Sequence, residues 1–190
     1  MRLDIDRVLI SHDRIAARIA ELAARITDDH NGASADGEIA IVPIMTGAMI
    51  FCGDLIRQIP LPMKIGLVAV TSYPGSAVRA QEPKVLGQQL NRLAGRHVLV
   101  LDDILDSGGT LRTVIPMIEA LGPASVKSCV LLRKDRPEAR KTHVDYVGFD
   151  IPDEFVVGYG LDYDNYYRNL PDIVTLKREI IDRAGAAGPA

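Results

Sequence analysis

One short stretch of this 190-residue chain combines paired carboxylates with a glycine-rich turn. Asp102 and Asp103 follow an apolar run, and two adjacent carboxylates need a cation or hydroxyl donors nearby to stay ionised. A sugar diol together with Mg²⁺ supplies both. The stretch Asp106–Thr110, DSGGT, precedes a helical pattern, so its exposed backbone N–H groups and the helix N-terminus favour an anion. With the hydroxyls of Ser107 and Thr110 as further donors, these residues predict a sugar-phosphate site.

Two other roles could explain the same residues. Asp106 or Ser107 could simply cap the following helix, with the glycines shaping a turn. The pair Asp102–Asp103 could instead bind the metal of a nucleoside triphosphatase, but neither GxxxxGKS/T nor GxGxxG occurs in the chain. A phosphate loop without lysine is better suited to a sugar phosphate than to a triphosphate, so we favour the sugar-phosphate interpretation.

Apolar runs alternate with amphipathic helical patterns along the chain, which predicts an α/β fold. The predicted strands are Ile39–Met45, Leu67–Ser72, His97–Leu101, Val126–Leu132 and Tyr146–Phe149. The predicted helices cover residues 13–28, 48–59, 110–121 and 176–183. This alternation favours a mainly parallel sheet covered on both faces, whose ligands bind beyond the carboxyl ends of the strands. We therefore expect the chemistry to lie just after Met45, Ser72, Leu101 and Leu132.

Composition and charge exclude several classes of protein. Hydrophobic residues make up 47% and charged residues 25% of the chain, which is typical of a globular protein, and the length predicts a single domain over residues 1–190. The net charge of −3 and the lack of a basic block argue against nucleic-acid binding. No signal peptide or membrane-spanning run is apparent, so we expect a cytoplasmic protein. Cys52 and Cys129 lie in apolar runs and are expected to be buried, reduced thiols.

The run Val98–Leu111, VLVLDDILDSGGTL, resembles the PRPP-binding signature of the type I phosphoribosyltransferases: four apolar residues, two acids, two apolar residues and D-S/T-G-x-T. This resemblance implies the type I fold, a Rossmann-like, mainly parallel sheet flanked by helices with a small hood formed by the terminal segments. It implies that Asp102 and Asp103 hold the ribose hydroxyls and the metal. The implied PRPP-binding set is Asp102, Asp103, Asp106, Ser107, Gly108, Gly109 and Thr110. In the purine-salvage branch, Asp106 would also be the catalytic acid and base facing N7 of the purine.

The C-terminal third, Tyr146–Leu170, resembles the hypoxanthine–guanine branch of that family through VGF-x-IPD-x-FVVGYG-x-DY and an arginine before an Asn-Leu pair. The side-chain chemistry agrees. Phe155 offers a flat face for stacking on a purine, and the backbone around Glu154–Val156 can pair with the base edge. Lys134 follows a predicted strand and can donate to a 6-oxo group and N7. The predicted purine site comprises Lys134, Glu154, Phe155, Val156 and Asp162.

The resemblance also makes Asp162 a further metal ligand and Arg168 a pyrophosphate clamp. Taken singly, each of these residues has an ordinary explanation. Lys134 would be a solvated lysine, Phe155 a core aromatic, and Asp162 and Arg168 surface charges. Because all of them occur at the family positions together with the phosphate loop Asp106–Thr110, we favour their roles in binding purine, metal and pyrophosphate.

These features together predict a Mg²⁺-dependent transferase of purine salvage. It would move the 5-phosphoribosyl group from PRPP to N9 of hypoxanthine or guanine, giving IMP or GMP and pyrophosphate. Residues 73–87 would form a lid that excludes water. The alternatives are a xanthine- or guanine-preferring transferase and a regulatory, nucleotide-binding homologue. The family forms dimers and tetramers, so we expect a homodimer or homotetramer.

One departure from the family pattern concerns the turn after the first core strand. Family members usually have Leu-Lys/Arg-Gly there, whereas this chain has Met45-Thr46-Gly47. Thr46 and Gly47 would then contact pyrophosphate through backbone N–H groups, without a cationic side chain. The segment Val85–Leu90, VLGQQL, also departs from the more usual polar sequence.

Overall fold

The computed structural model describes residues 2–31, 38–70, 85–90 and 93–181, which form a central sheet, flanking helices and a second, smaller sheet. The strands are β1 (Ile5–Ile10), β2 (Ile39–Met45), β3 (Met63–Ile65), β4 (Leu67–Val70), β5 (Val85–Gln89), β6 (His97–Leu105), β7 (Ser125–Lys134), β8 (Tyr146–Ile151), β9 (Val156–Val157) and β10 (Ile173–Leu176). The helices are α1 (His12–His30), α2 (Met49–Ile56), α3 (Gly109–Glu119) and α4 (Pro137–Lys141). None of the described helices is long and apolar enough to cross a membrane.

The central sheet has the strand order β5-β4-β2-β6-β7-β8, and β3 pairs with the first residues of β2. Its pairings are parallel except for the antiparallel contact between β4 and β5. The predicted α/β fold with a mainly parallel sheet is therefore confirmed. The predicted lid, residues 73–87, lies outside the described residues up to residue 84, and its last three residues belong to β5.

Apolar side chains cover both faces of the sheet. Along β6, Leu99 and Leu101 pack with α1 and α2, whereas Val98 and Val100 pack with α3 on the opposite face. Successive strand residues point to opposite faces, so a strand buried on both sides must be apolar at nearly every position. Cys129 lies in the buried strand β7 and Cys52 in α2, and both thiols are buried and free, as predicted.

The smaller sheet is antiparallel, in the order β1-β10-β9, and it joins the two ends of the chain. It confirms the expected hood of terminal segments. The predicted helix over residues 176–183 is wrong at its start, because Ile173–Leu176 forms β10 and helical structure begins only at Arg178. All four β10 residues are buried, and β-branched residues fit a packed strand. The sequence signal was too short to distinguish strand from helix.

The strand order reverses between β2 and β6. From β2 the chain continues to β3, β4 and β5 on one side, then crosses to β6, β7 and β8 on the other. Crevices beyond the carboxyl ends of strands at such a switch point are the usual ligand sites of open α/β sheets. The fold therefore places the turn at Thr46–Gly47 beside the acidic pair of β6.

Candidate active site

A cleft of about 660 Å³ opens at this switch point. Most of the predicted site residues line it: Gly47, Asp102, Asp103, Asp106, Ser107, Gly108, Gly109, Thr110, Lys134, Phe155, Val156, Asp162 and Arg168. Two predicted residues do not. Thr46 is exposed beside the cleft, and the Glu154 carboxylate accepts hydrogen bonds from the Arg7 guanidinium at 2.5 Å, on β1 of the hood. The Glu154 carboxylate is thus bound outside the cleft, whereas the predicted contact of its backbone with the base edge stays a prediction.

The position of the acidic pair after Leu101 suggested that it lies in a loop. The pair lies instead within β6, where Asp102 is the partner of Val130. Asp102 is only 5% exposed. Burial, reinforced by repulsion from Asp103, raises the pKa of Asp102 well above its ordinary value. Burial also raises the pKa of Asp103, while Arg168 and hydrogen bonds from the backbone oppose that shift. The pair thus costs free energy when both carboxylates are ionised, and a cation would relieve that cost.

The chemistry of this pair fits Mg²⁺. Among the described residues no cluster of three or more histidine, cysteine or acidic side chains could hold a metal on its own. Mg²⁺ commonly takes only one or two protein carboxylates and completes its octahedron with water and substrate phosphates. Asp102 and Asp103 provide that number of ligands. Asp162 lines the same cleft but is already paired with Arg168, whose guanidinium lies 2.8 Å away.

The phosphate loop, Asp106–Thr110, presents backbone N–H donors to the cleft. Gly108 is the N-cap residue of α3 with φ +79°, and no side chain caps that helix in the described structure. The interpretation of Asp106 or Ser107 as the helix cap is therefore wrong. A Cβ at Gly108 would lie 2.2 Å from Thr142 Oγ1, so both the backbone conformation and the packing require glycine. The N-terminal N–H groups of α3 remain available to an anion.

The turn after β2 packs directly on the acidic pair. The peptide bond Met45–Thr46 is cis. A Cβ at Gly47 would lie 1.9 Å from Asp103 Oδ2, and a Cβ at Gly160 would lie 2.3 Å from the Gly47 carbonyl oxygen. Gly160 also has φ +101°, a conformation that side chains disfavour. Both glycines are thus needed for the turn to approach β6 this closely.

Lys134, at the end of β7, contacts both the phosphate loop and the segment that precedes Phe155. Its Nζ lies 3.0 Å from Asp106 Oδ2 on the phosphate loop and 3.7 Å from Asp153 Oδ1. Phe155 follows shortly after Asp153, is 42% exposed and contacts Tyr163 edge to face at 5.2 Å between ring centroids. An exposed aromatic face at the rim of a cleft is suited to stacking on a planar base.

Arg168 and two further arginines add positive charge to the cleft. Arg168 donates to the Gly160 carbonyl at 2.7 Å. Sequence reasoning missed the other two. Arg112, on α3, donates to the Ser107 carbonyl at 2.9 Å, and Arg136 binds Asp106 Oδ1 at 2.5 Å. For Arg136 the sequence held one signal, its position two residues after Lys134.

The cleft thus holds an anion-binding loop, a buried acidic pair and an aromatic rim in one arrangement, and the chain resembles known proteins in sequence and in fold. The profile of the phosphoribosyl transferase domain matches residues 9–164. The hypoxanthine-guanine phosphoribosyltransferase of Mycobacterium avium is 44% identical over 177 residues, covering 91% of this chain and 86% of the relative. That of Bacillus subtilis is 37% identical over 184 residues, covering 96% and 99%.

Solved structures agree with these relatives. A hypoxanthine phosphoribosyltransferase structure from Trypanosoma cruzi superposes with a TM-score of 0.86 at 33% identity, covering 96% of this chain and 97% of that one. A variant of the same enzyme, in complex with the product IMP, also has a TM-score of 0.86 at 33% identity and covers 97% of each chain. With similarity in sequence and in fold along nearly the whole chain, this protein belongs to the hypoxanthine-guanine phosphoribosyltransferase family.

Proposed function

We propose that this protein transfers the 5-phosphoribosyl group from PRPP to N9 of hypoxanthine or guanine, forming IMP or GMP and pyrophosphate. One observation carries the proposal: the carboxylate of Asp106, on the phosphate loop, binds the ammonium of Lys134 at 3.0 Å. A group in that position can contact a purine whose ribose phosphate occupies the loop. Family membership supports the same reaction.

In this proposal the phosphate loop holds the 5′-phosphate. The backbone N–H groups at the start of α3 and the hydroxyls of Ser107 and Thr110 are the donors. Asp102 and Asp103 accept hydrogen bonds from the ribose hydroxyls. They would also hold Mg²⁺, with Asp162 nearby, and the ion would neutralise negative charge on the pyrophosphate oxygens.

The pyrophosphate would lie between the turn after β2 and Arg168. Thr46 and Gly47 contribute backbone N–H groups, and the guanidinium of Arg168 adds the positive charge that this turn lacks. As the bond between the anomeric carbon and the pyrophosphate oxygen breaks, negative charge moves onto the pyrophosphate. Donors fixed in advance at this position therefore stabilise the transition state.

The purine would stack on Phe155, with the backbone at Val156 along its edge and the Lys134 ammonium donating to the 6-oxo group. N9 then faces the anomeric carbon of the ribose. Bond formation at N9 requires loss of a proton from the purine, and Asp106 would accept it at N7. The residues of this chain would therefore align PRPP with the purine and accept this proton.

An assay with PRPP, Mg²⁺ and each of hypoxanthine, guanine, xanthine and adenine tests the proposal. We expect nucleotide from hypoxanthine and guanine and none from adenine, because Lys134 donates to an oxo group and an amino group would not accept. Preferential use of xanthine would favour the xanthine-type transferase. Binding of PRPP or nucleotide without product from any base would contradict the proposal and favour a regulatory homologue.

The role of Asp106 has its own test. Asp106→Asn keeps the shape of the loop but removes the proton acceptor, so we expect turnover to fall by about 10²–10⁴-fold while PRPP still binds. PRPP binding can be followed by calorimetry in the absence of purine. Turnover equal to that of the unsubstituted protein would refute the acid and base assignment.

A further inference from the structure

Two cations and two carboxylates form a closed network, in which Asp106, Lys134 and Arg136 line the cleft and Asp153 does not. Asp106 Oδ2 pairs with Lys134 Nζ at 3.0 Å, and Asp106 Oδ1 pairs with Arg136 Nη1 at 2.5 Å. Asp153 Oδ1 pairs with Arg136 Nε at 2.6 Å and lies 3.7 Å from Lys134 Nζ. The network therefore links the phosphate loop to the segment that leads into Phe155.

The position of Arg136 is set by the backbone on both sides. Its N–H donates to the Lys134 carbonyl at 2.9 Å, and Pro137 begins α4 directly after it. The guanidinium then uses two different nitrogens for its two carboxylates. Asp153 raises the pKa of Arg136, and Arg136 in turn lowers the pKa of Asp153, so the anchoring pair remains ionised at neutral pH.

The proposed purine contact creates a competition for Lys134. Its side chain is only 9% exposed and is held by Asp106, yet the same ammonium must donate to the 6-oxo group. If Lys134 were the sole cation at Asp106, purine binding would weaken the stabilisation of that carboxylate. Arg136 removes the conflict, because it pairs with the other carboxylate oxygen.

Resting on the function proposed above, we infer that Arg136, anchored by Asp153, is a positioning residue that keeps Asp106 charge-paired and oriented while Lys134 binds the purine. Arg136 acts through Asp106 and need not touch either substrate. The other charged side chains lining this cleft are Asp102, Asp103, Arg112, Asp162 and Arg168.

The test compares Arg136→Gln with the unsubstituted enzyme in steady-state kinetics. Without Arg136, Lys134 is bound more tightly by Asp106, so we expect KM for hypoxanthine to rise and kcat to fall, each on the order of tenfold. KM for PRPP should stay within about twofold, since the backbone donors of the phosphate loop and the acidic pair are untouched.

The chain offers a matched control on the same two strands. Arg133 pairs with Asp150 at 2.7 Å, its side chain is 22% exposed compared with 39% for Arg136, and neither Arg133 nor Asp150 lines the cleft. Arg133→Gln should leave both KM values and kcat unchanged. Arg136→Lys, which keeps the charge but cannot bridge two carboxylates with a planar fork, should give an intermediate KM for hypoxanthine.

Asp153→Asn tests the anchor. Because it acts through Arg136, the double variant with Arg136→Gln should be no worse than Arg136→Gln alone. The inference is overturned if the unsubstituted enzyme is active and Arg136→Gln leaves KM for hypoxanthine unchanged, raises both KM values equally, or adds fully to Asp153→Asn. An unsubstituted enzyme that makes no nucleotide would instead overturn the proposed function, and this inference with it.

Discussion

Replacing Gly47 by alanine tests the closest packing in the cleft. The new Cβ would lie 1.9 Å from Asp103 Oδ2 and 2.5 Å from its Cγ, well inside van der Waals contact. Either the Asp103 side chain must rotate or the turn after β2 must withdraw. Rotation would break the hydrogen bond that Asp103 Oδ1 accepts from the Ile104 N–H at 2.8 Å.

The cost follows from these contacts. Overpacking of a well-packed site costs about 1–3 kcal/mol, and loss of a hydrogen bond to a charged group costs a similar amount. Because part of the clash is relieved by rotation, we expect the free energy of unfolding to fall by about 1–3 kcal/mol. For a chain of this size that lowers Tm by about 2–12 °C. A displacement near 1 Å at a reacting group can lower the rate by about 10²-fold, so kcat/KM for PRPP should fall by about 10–100-fold.

Thermal unfolding and the nucleotide-forming assay measure the two effects separately. Gly53→Ala is the control, because Gly53 is exposed within α2 and a Cβ there would meet nothing within 4 Å. That variant should be unchanged in activity and stabilised by up to about 1 kcal/mol, since alanine favours a helix over glycine. A Gly47→Ala variant with unaltered Tm and unaltered kcat/KM for PRPP would refute the packing of Gly47 on Asp103.

Three further predictions follow from single residues. Lys134→Ala should mainly raise KM for the purine, and loss of PRPP binding alone would contradict its place in the base pocket. Burial raises the pKa of Cys52 to about 11 and also raises the pKa of Cys129, so neither thiol should react with a disulfide reagent at pH 8 until the protein is unfolded. Burial lowers the pKa of His30, whose Nε2 has no hydrogen-bond partner among the described residues. His30 thus favours the folded state above its unfolded pKa of about 6.5, and this contribution is lost as pH falls. His30→Asn should show a smaller loss of Tm between pH 7.5 and 5.5, whereas His143→Asn, at an exposed site, should not; equal losses in all three proteins would contradict this.

Much of the fold could be predicted because its signals are local. Strand Ile39–Met45 was predicted to the residue, since a strand buried on both faces is a continuous apolar run. The boundary of β6 was missed, because Asp102 and Asp103 are polar and look like a loop. The strand continues through them because β7 supplies ladder partners as far as Arg133, and pairing of that kind is invisible in the sequence of one strand.

Part of the candidate site could likewise be predicted from local sequence, and part depends on the tertiary structure. The sequence by itself determined the phosphate loop, because DSGGT after an apolar strand encodes a turn and a helix start within a few residues. Only the tertiary structure decided that Asp106 binds both Lys134 and Arg136, which lie about 30 residues away in the sequence. It also decided that the Glu154 carboxylate accepts hydrogen bonds from Arg7. Partners of side chains depend on which strands are neighbours and how they are registered, and those are properties of the whole sheet. The raised pKa values of the acidic pair arise likewise from burial, which exists only once the chain has folded.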